Sequence, residues 1–130
     1  MFIRFVVHAR DSDSQERQGI FQATGDLRDT GKLSDAERAW ADAAFAWFNE
    51  HLPRPQSFTG SKRHNARARA VSWFRSTARE HLRQAQSLVA LLEQQGVAVE
   101  RLETDRPGYV VYEDEFQVVA LPFESTRRGR

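Results

Sequence analysis

The chain has 130 residues, no cysteine and a formal net charge of +1, and 40% of its residues are hydrophobic. This composition predicts one folded, soluble domain, and it excludes disulfides, thiolate metal sites, cysteine nucleophiles and disorder of the whole chain. The sequence shows no apolar run long enough for a signal peptide or a membrane span, so we expect a cytoplasmic protein without a membrane partner.

The N-terminal part predicts a strand followed by two helices. Residues 2–9 alternate their side chains in the period of a strand, and residues 16–28 carry a short helical pattern. A second helix is expected to begin at Ser34, because Glu37 stands three residues further on and completes a capping box. Pro53 ends this helix, since proline cannot donate a backbone hydrogen bond.

A helical pattern then extends from Lys62 to Gln95. Its apolar side chains recur at spacings of three and four residues, which predicts one long helix. They are Val71, Phe74, Ala78, Leu82, Ala85, Leu88 or Val89, and Leu92. Gly96 follows at the place where a glycine in the left-handed conformation ends a helix.

The C-terminal part predicts three strands, over residues 97–102, 109–113 and 116–121, and the last two form a hairpin across an acidic turn. The fold class predicted from this order is α+β. We expect an antiparallel sheet of about four strands, one N-terminal and three C-terminal, with three helices packed on one face. Residues 1–124 are expected to form this single domain, and residues 125–130 a basic, disordered tail.

Positive charge is concentrated in the predicted long helix. Between Lys62 and Arg83, seven basic residues stand against one acid, in a chain that is almost neutral. An arginine row beside an aromatic side chain is typical of surfaces that bind phosphates and stack on bases, so this helix face is a candidate nucleic-acid or polyanion site. The candidate binding residues are Lys62, Arg63, Arg67, Arg69, Trp73, Arg75, Arg79 and Arg83.

The alternative interpretation of the same arginines is charge pairing. The regions before and after the basic segment are both acidic, with nine acids among residues 11–50 and eight among residues 84–126. The arginines then face these acids within the chain or across a dimer, or they are solvated. We favour this interpretation because the total charge is close to zero.

The sequence contains no catalytic or metal-binding motif, so we predict no catalytic residue, no metal and no cofactor. Its histidines lack the three- or four-residue spacing of a helical metal site. His81 is expected to be a packed, hydrogen-bonded side chain. The turn Glu113–Glu115 holds three acids, but without further oxygen ligands it makes a poor calcium site, and we expect a solvated turn. An enzyme in which His81, Tyr112 and the arginines converge on a pocket stays open as a third alternative.

Both faces of the predicted hairpin are rich in apolar side chains. One face is expected to cover the helices, and the other needs a second cover, most simply a second copy of the chain. We therefore expect a non-enzymatic binding or regulatory module that acts as a homodimer.

Several segments resemble one group of small bacterial proteins of uncharacterised function. The similar segments are Gly19–Ala23, Trp47–Pro53, Val71–Phe74, Ala78–His81 and Arg106–Ala120. The resemblance spans nearly the whole chain. It implies a compact bacterial protein and is compatible with an origin in a mobile gene cassette, but it implies no activity, cofactor or site.

Overall fold

The computed structural model describes residues 1–11, 16–54 and 69–123, and these ranges form three helices and a six-stranded antiparallel sheet. The strands are β1 (Phe2–Arg10), β2 (Arg17–Gly19), β3 (Val71–Arg75), β4 (Glu100–Thr104), β5 (Tyr109–Glu113) and β6 (Gln117–Leu121). The helices are α1 (Ile20–Asp29), α2 (Asp35–His51) and α3 (Arg79–Gln94). The α+β prediction is confirmed, with six strands instead of four. The predicted tail at residues 125–130 lies outside the described residues.

Strand β1 lies at the centre of the topology. The sheet order is β2-β1-β3-β6-β5, and β4 also pairs with β1. Strands β3 and β4 are both antiparallel to β1 and are joined by α3, so they form a split β-α-β unit around β1.

The helices pack on one face of the sheet, as the sequence predicts. Alternation along β1 places Ile3, Phe5 and Val7 on this face, and Phe74 of β3 joins them. The buried residues that the helices contribute to the same core are Ile20, Ala23, Ala41, Ala44, Phe48, Ala85, Leu88, Val89, Leu91 and Leu92.

The opposite face of the sheet is also buried within a single chain. Val71, Trp73 and Val118 are buried there, and Phe2 and Leu102 pack against them. A second subunit is therefore not needed to bury these residues, and the homodimer stays a prediction. The large hydrophobic residues that stay exposed in the described part of the chain are Met1, Tyr109 and Val110.

The predicted helix termini at Ser34 and Gly96 are confirmed. Ser34 Oγ accepts from the Glu37 N–H at 3.2 Å, and Glu37 Oε1 accepts from the Ser34 N–H at 2.9 Å, which completes the capping box of α2. Gly96 follows α3 with a φ of 81°, the left-handed conformation that ends a helix.

The prediction of one long helix over residues 62–95 is wrong. Residues 71–75 form strand β3, and the helix begins only at Arg79. The side chains of Val71, Trp73 and Phe74 favour a pleated, half-buried strand. The spacing of these side chains also fits a helix, but the segment forms a strand because it pairs with β1 and β6.

The turn between β5 and β6 is closed by the Asp114 carboxylate. Its Oδ1 accepts from the N–H groups of Phe116 and Gln117 at 2.8 and 3.1 Å, and its Oδ2 accepts from Tyr112 Oη and Gln117 Nε2 at 2.8 and 3.1 Å. The expected solvated turn is thus confirmed for the exposed Glu113 and Glu115 and wrong for Asp114. Burial acts to raise the pKa of Asp114, but these hydrogen bonds outweigh it and hold the pKa below its ordinary value.

We expect Asp114→Asn to lower the free energy of unfolding by about 1–2 kcal/mol at pH 7, because hydrogen bonds to a charged acceptor are lost. A lowered native pKa stabilises the fold above the ordinary aspartate pKa, and that contribution disappears as pH falls through the native pKa. The difference between wild type and variant should therefore shrink below about pH 4 in urea titrations. The exposed Glu115→Gln is the control, and an equal loss in both variants would contradict the role of Asp114.

Candidate functional site

A cavity of about 510 Å³ opens where β1 and β3 separate. The two strands pair only at Phe2 with Arg75 and at Ile3 with Phe74. Beyond this point β1 pairs with β2 instead, while β3 continues beside β6. The cavity is thus a gap in the sheet, and its volume lies in the range of small-molecule binding sites.

Aromatic side chains form the wall on the helix side of the cavity. Phe21 of α1 meets Phe48 of α2 edge to face at 4.7 Å between ring centroids, and Phe74 lies 6.0 Å from Phe48. Phe45 and Leu52 complete this wall. Apolar walls of this kind supply most of the binding energy for an organic ligand, because they exclude water from its apolar surface.

Two buried polar side chains hold the C-terminal end of α2 at the cavity. His81 Nε2 lies 2.8 Å from the His51 carbonyl oxygen, which can only accept, so Nε2 carries the proton. Gln117 Nε2 donates to the Pro53 carbonyl oxygen at 2.7 Å. Both bonds satisfy carbonyl groups at or beyond the helix end, and they position the cavity-lining residues Leu52 and Pro53.

The lining of the cavity also includes a half-buried cation, the guanidinium of Arg4. Its Nη2 donates to the Arg17 carbonyl oxygen at 2.9 Å, the one hydrogen bond that Arg4 makes to the described residues. Burial lowers the pKa of Arg4 to about 10, and the opposing effects of Glu16 and Asp11 do not restore it. Arg4 stays protonated at neutral pH, and Glu16 and Asp11 are the carboxylates that act on its charge.

Further hydrogen-bond donors lie around Arg4. Trp73 also lines the cavity, only 6% of its surface is exposed, and its Nε1 has no hydrogen-bond partner within the described residues. Helix α1 begins in the same wall, and its N-cap residue Gly19 has no side chain to accept from the first-turn N–H groups. Asp11 and Arg54 are the other charged residues of the lining.

The predicted arginine row does not exist as one helix face. Arg75 lies on β3, where its Nε donates to the Asp114 carbonyl oxygen at 2.7 Å and its Nη2 lies 3.6 Å from Glu113 Oε1. Arg79 is the first residue of α3, and Arg83 pairs with Glu80 at 3.2 Å. Arg75 therefore follows the charge-pairing alternative, since it joins the acidic hairpin.

The other predicted site residues divide into two groups. Lys62, Arg63 and Arg67 lie outside the described residues. Arg69 is half-buried just before β3, and Trp73 is buried in the sheet and not displayed beside a basic surface. A buried indole cannot stack on a nucleic-acid base, so Trp73 does not have the predicted role, and polyanion binding by the arginines stays a prediction.

The residues proposed for an unrecognised enzyme do not converge on the cavity. His81 stacks on Phe116 at 4.2 Å and donates to His51, which confirms the packed interpretation. Tyr112 is engaged with Asp114, and neither His81 nor Tyr112 lines the cavity. Over residues 1–11, 16–54 and 69–123, no group of three or more His, Asp or Glu side chains is placed to hold a metal ion.

Arg4 is the charged residue of the cavity lining that the predicted binding residues do not include. It is the single charged residue in the apolar run Phe2–Val7. That isolation is a signal, because a charge on the buried face of a strand requires a partner or a ligand. Its neighbour Trp73 is predicted beside the arginine row of a helix, because the spacing of residues 62–95 does not reveal strand β3.

No helix in the described part of the chain is long and apolar enough to cross a membrane. Comparison of the chain with protein-family models, with curated proteins and with solved structures finds no match. The function must therefore be argued from the cavity and its residues.

Proposed function

We propose that this protein is a non-enzymatic, cytoplasmic binding module whose ligand is a small organic molecule held in the cavity between β1, β3, α1 and α2. The observation that carries the proposal is a ligand-sized gap in the sheet, walled by aromatic side chains and supplied with a few polar groups. Binding sites of small molecules combine these two properties, since apolar walls give affinity and sparse polar groups give orientation.

The arrangement supports binding better than catalysis. The described polar residues of the lining include no histidine, and the buried His81 is committed to a backbone carbonyl. The nucleic-acid and homodimer alternatives have less support, because the described arginines do not share one helix face and much of the sheet face opposite the helices is buried. Both stay predictions, and light scattering decides the second of them.

The test is binding of indole, a neutral aromatic probe, measured by saturation-transfer difference NMR. We expect the wild type to bind indole and Ser72→Trp to lose most of the signal. Ser72 lines the cavity yet is exposed, so a larger side chain there fills the cavity without displacing the core. The matched control is Gln86→Trp, on an exposed position of α3 outside the lining. Equal signals in Ser72→Trp and wild type would refute the proposed cavity.

A further inference from the structure

The donors around the cavity point to the charge of its ligand. Resting on the proposed function, we propose that the ligand is an aromatic carboxylate, with its ring against the phenylalanine wall and its carboxylate bound by the guanidinium of Arg4.

The first step is the position of Arg4 relative to Trp73. In the register set by Ile3 with Phe74, the next pair along the two strands is Arg4 with Trp73. Their side chains therefore project to the same face, where the ladder ends and the gap opens. Arg4 offers a planar guanidinium with five N–H groups, and Trp73 offers an indole N–H.

The second step is that Arg4 and Trp73 both present hydrogen-bond donors, although the carboxylates of Glu16 and Asp11 lie near Arg4 as well. A buried donor without an acceptor costs about 1–3 kcal/mol, so an acceptor supplied by a ligand recovers free energy at this place. The positive end of the α1 dipole lies in the same wall and favours negative charge. An anion offers the acceptor that the guanidinium of Arg4 lacks, whereas a cation or a pure donor does not.

The third step is the compensation of the Arg4 charge. Glu16 and Asp11 lie near enough to act on Arg4, but burial outweighs them, and Arg17 adds a second positive charge. Arg17 itself is held by the Val7 carbonyl oxygen and by Glu100. Arg17 is thus committed to its own partners, and Arg4 is the cation of this pair whose guanidinium lines the cavity and is open to a carboxylate.

The fourth step explains why an aromatic carboxylate fits this cavity better than other anions. A guanidinium binds a carboxylate through two parallel hydrogen bonds, which fixes the orientation of the ligand. The ring wall formed by Phe21, Phe45, Phe48 and Phe74 extends from the same cavity on the helix side of the gap. Inorganic phosphate leaves this wall unused, so it is expected to bind poorly.

The test compares benzoate with benzamide, which has the same shape without the charge, by isothermal titration calorimetry on the full chain. We expect the wild type to bind benzoate at least about tenfold more tightly than benzamide, in line with one charge-assisted hydrogen bond. Arg4→Met should abolish this preference while keeping the affinity for benzamide, which shows that the cavity is intact. Arg83→Gln, an exposed arginine outside the lining, should keep the preference.

If Arg4→Met does not fold, Arg4→Lys and Trp73→Phe replace it, and each should reduce the preference for benzoate at least threefold. Equal affinity of the wild type for benzoate and benzamide overturns the carboxylate but leaves the proposed function, provided that indole binds. Arg4 variants that still bind benzoate more tightly than benzamide by the wild-type ratio also overturn the proposed carboxylate ligand. If inorganic phosphate binds in the cavity as tightly as benzoate, the proposal that the ligand carries an aromatic ring is overturned. If neither indole nor benzoate nor benzamide binds, the proposed function fails as well.

Discussion

Gly108→Ala is expected to destabilise the protein by at least about 3 kcal/mol, a large share of the stability of a domain of this size. Gly108 has a φ of 137°, a conformation that residues with a Cβ rarely adopt. An added Cβ would also overlap the backbone carbonyl of Leu121, which cannot move without breaking the first pair of the β5–β6 hairpin. Urea unfolding followed by circular dichroism measures the loss.

Gly25→Ala provides the matched control. Gly25 lies inside α1 and has nothing within 4 Å of the position of an added Cβ. Alanine there should stabilise the protein by about 0.5–1 kcal/mol, because glycine is the poorer helix former. Similar effects of the two substitutions would contradict the geometry assigned to Gly108.

Phe48→Ala is expected to cost about 3–5 kcal/mol, the range for removal of a buried aromatic side chain. Phe48 is 5% exposed and contacts rings from three other elements: Phe21 of α1, Phe74 of β3 and His81 of α3. Its removal leaves these rings without their common neighbour and widens the cavity, which Phe21 and Phe74 also line. Thermal and urea unfolding both measure the effect.

Two comparisons make the Phe48 result specific. Phe48→Leu keeps much of the volume and should cost clearly less than Phe48→Ala. Glu50→Ala changes an exposed position of the same helix and should stay within about 0.5 kcal/mol of wild type. A small effect of Phe48→Ala would mean that the aromatic wall does not support the fold around the cavity.

Much of the fold is readable from local sequence chemistry. Alternation identifies β1, the Ser34 capping box marks the start of α2, and turn residues mark the β5–β6 hairpin. These elements depend on neighbours in sequence, so one window of residues is enough to predict them.

Other parts of the fold depend on contacts between distant residues. The segment Val71–Phe74 satisfies a helical and a strand period at once, and its pairing partners in β1 and β6 decide between them. The β5–β6 ladder contains an irregularity between Val110 and Tyr112, so strict alternation does not give the faces of β5. Neither feature has a local signature in the sequence.

The candidate site depends even more on contacts between distant residues than the fold does. Arg4 is visible as a lone charge in an apolar strand, but its meaning depends on β3 ending its pairing with β1 after Ile3. The cavity exists because of that departure, and the order of strands in the sheet cannot be read from spacing. The sequence predicts the arginines as one row on a helix, but part of that segment forms strand β3. Arg75 therefore lies on β3 and contacts the acidic hairpin.

A crystal structure of the full chain grown with benzoate tests the central claim most directly. The account predicts electron density for the ring between β1, β3 and the phenylalanine wall, with both carboxylate oxygens within hydrogen-bond distance of the Arg4 guanidinium. Benzoate bound elsewhere on the surface, or a cavity without ligand at concentrations that saturate binding in solution, would contradict the account.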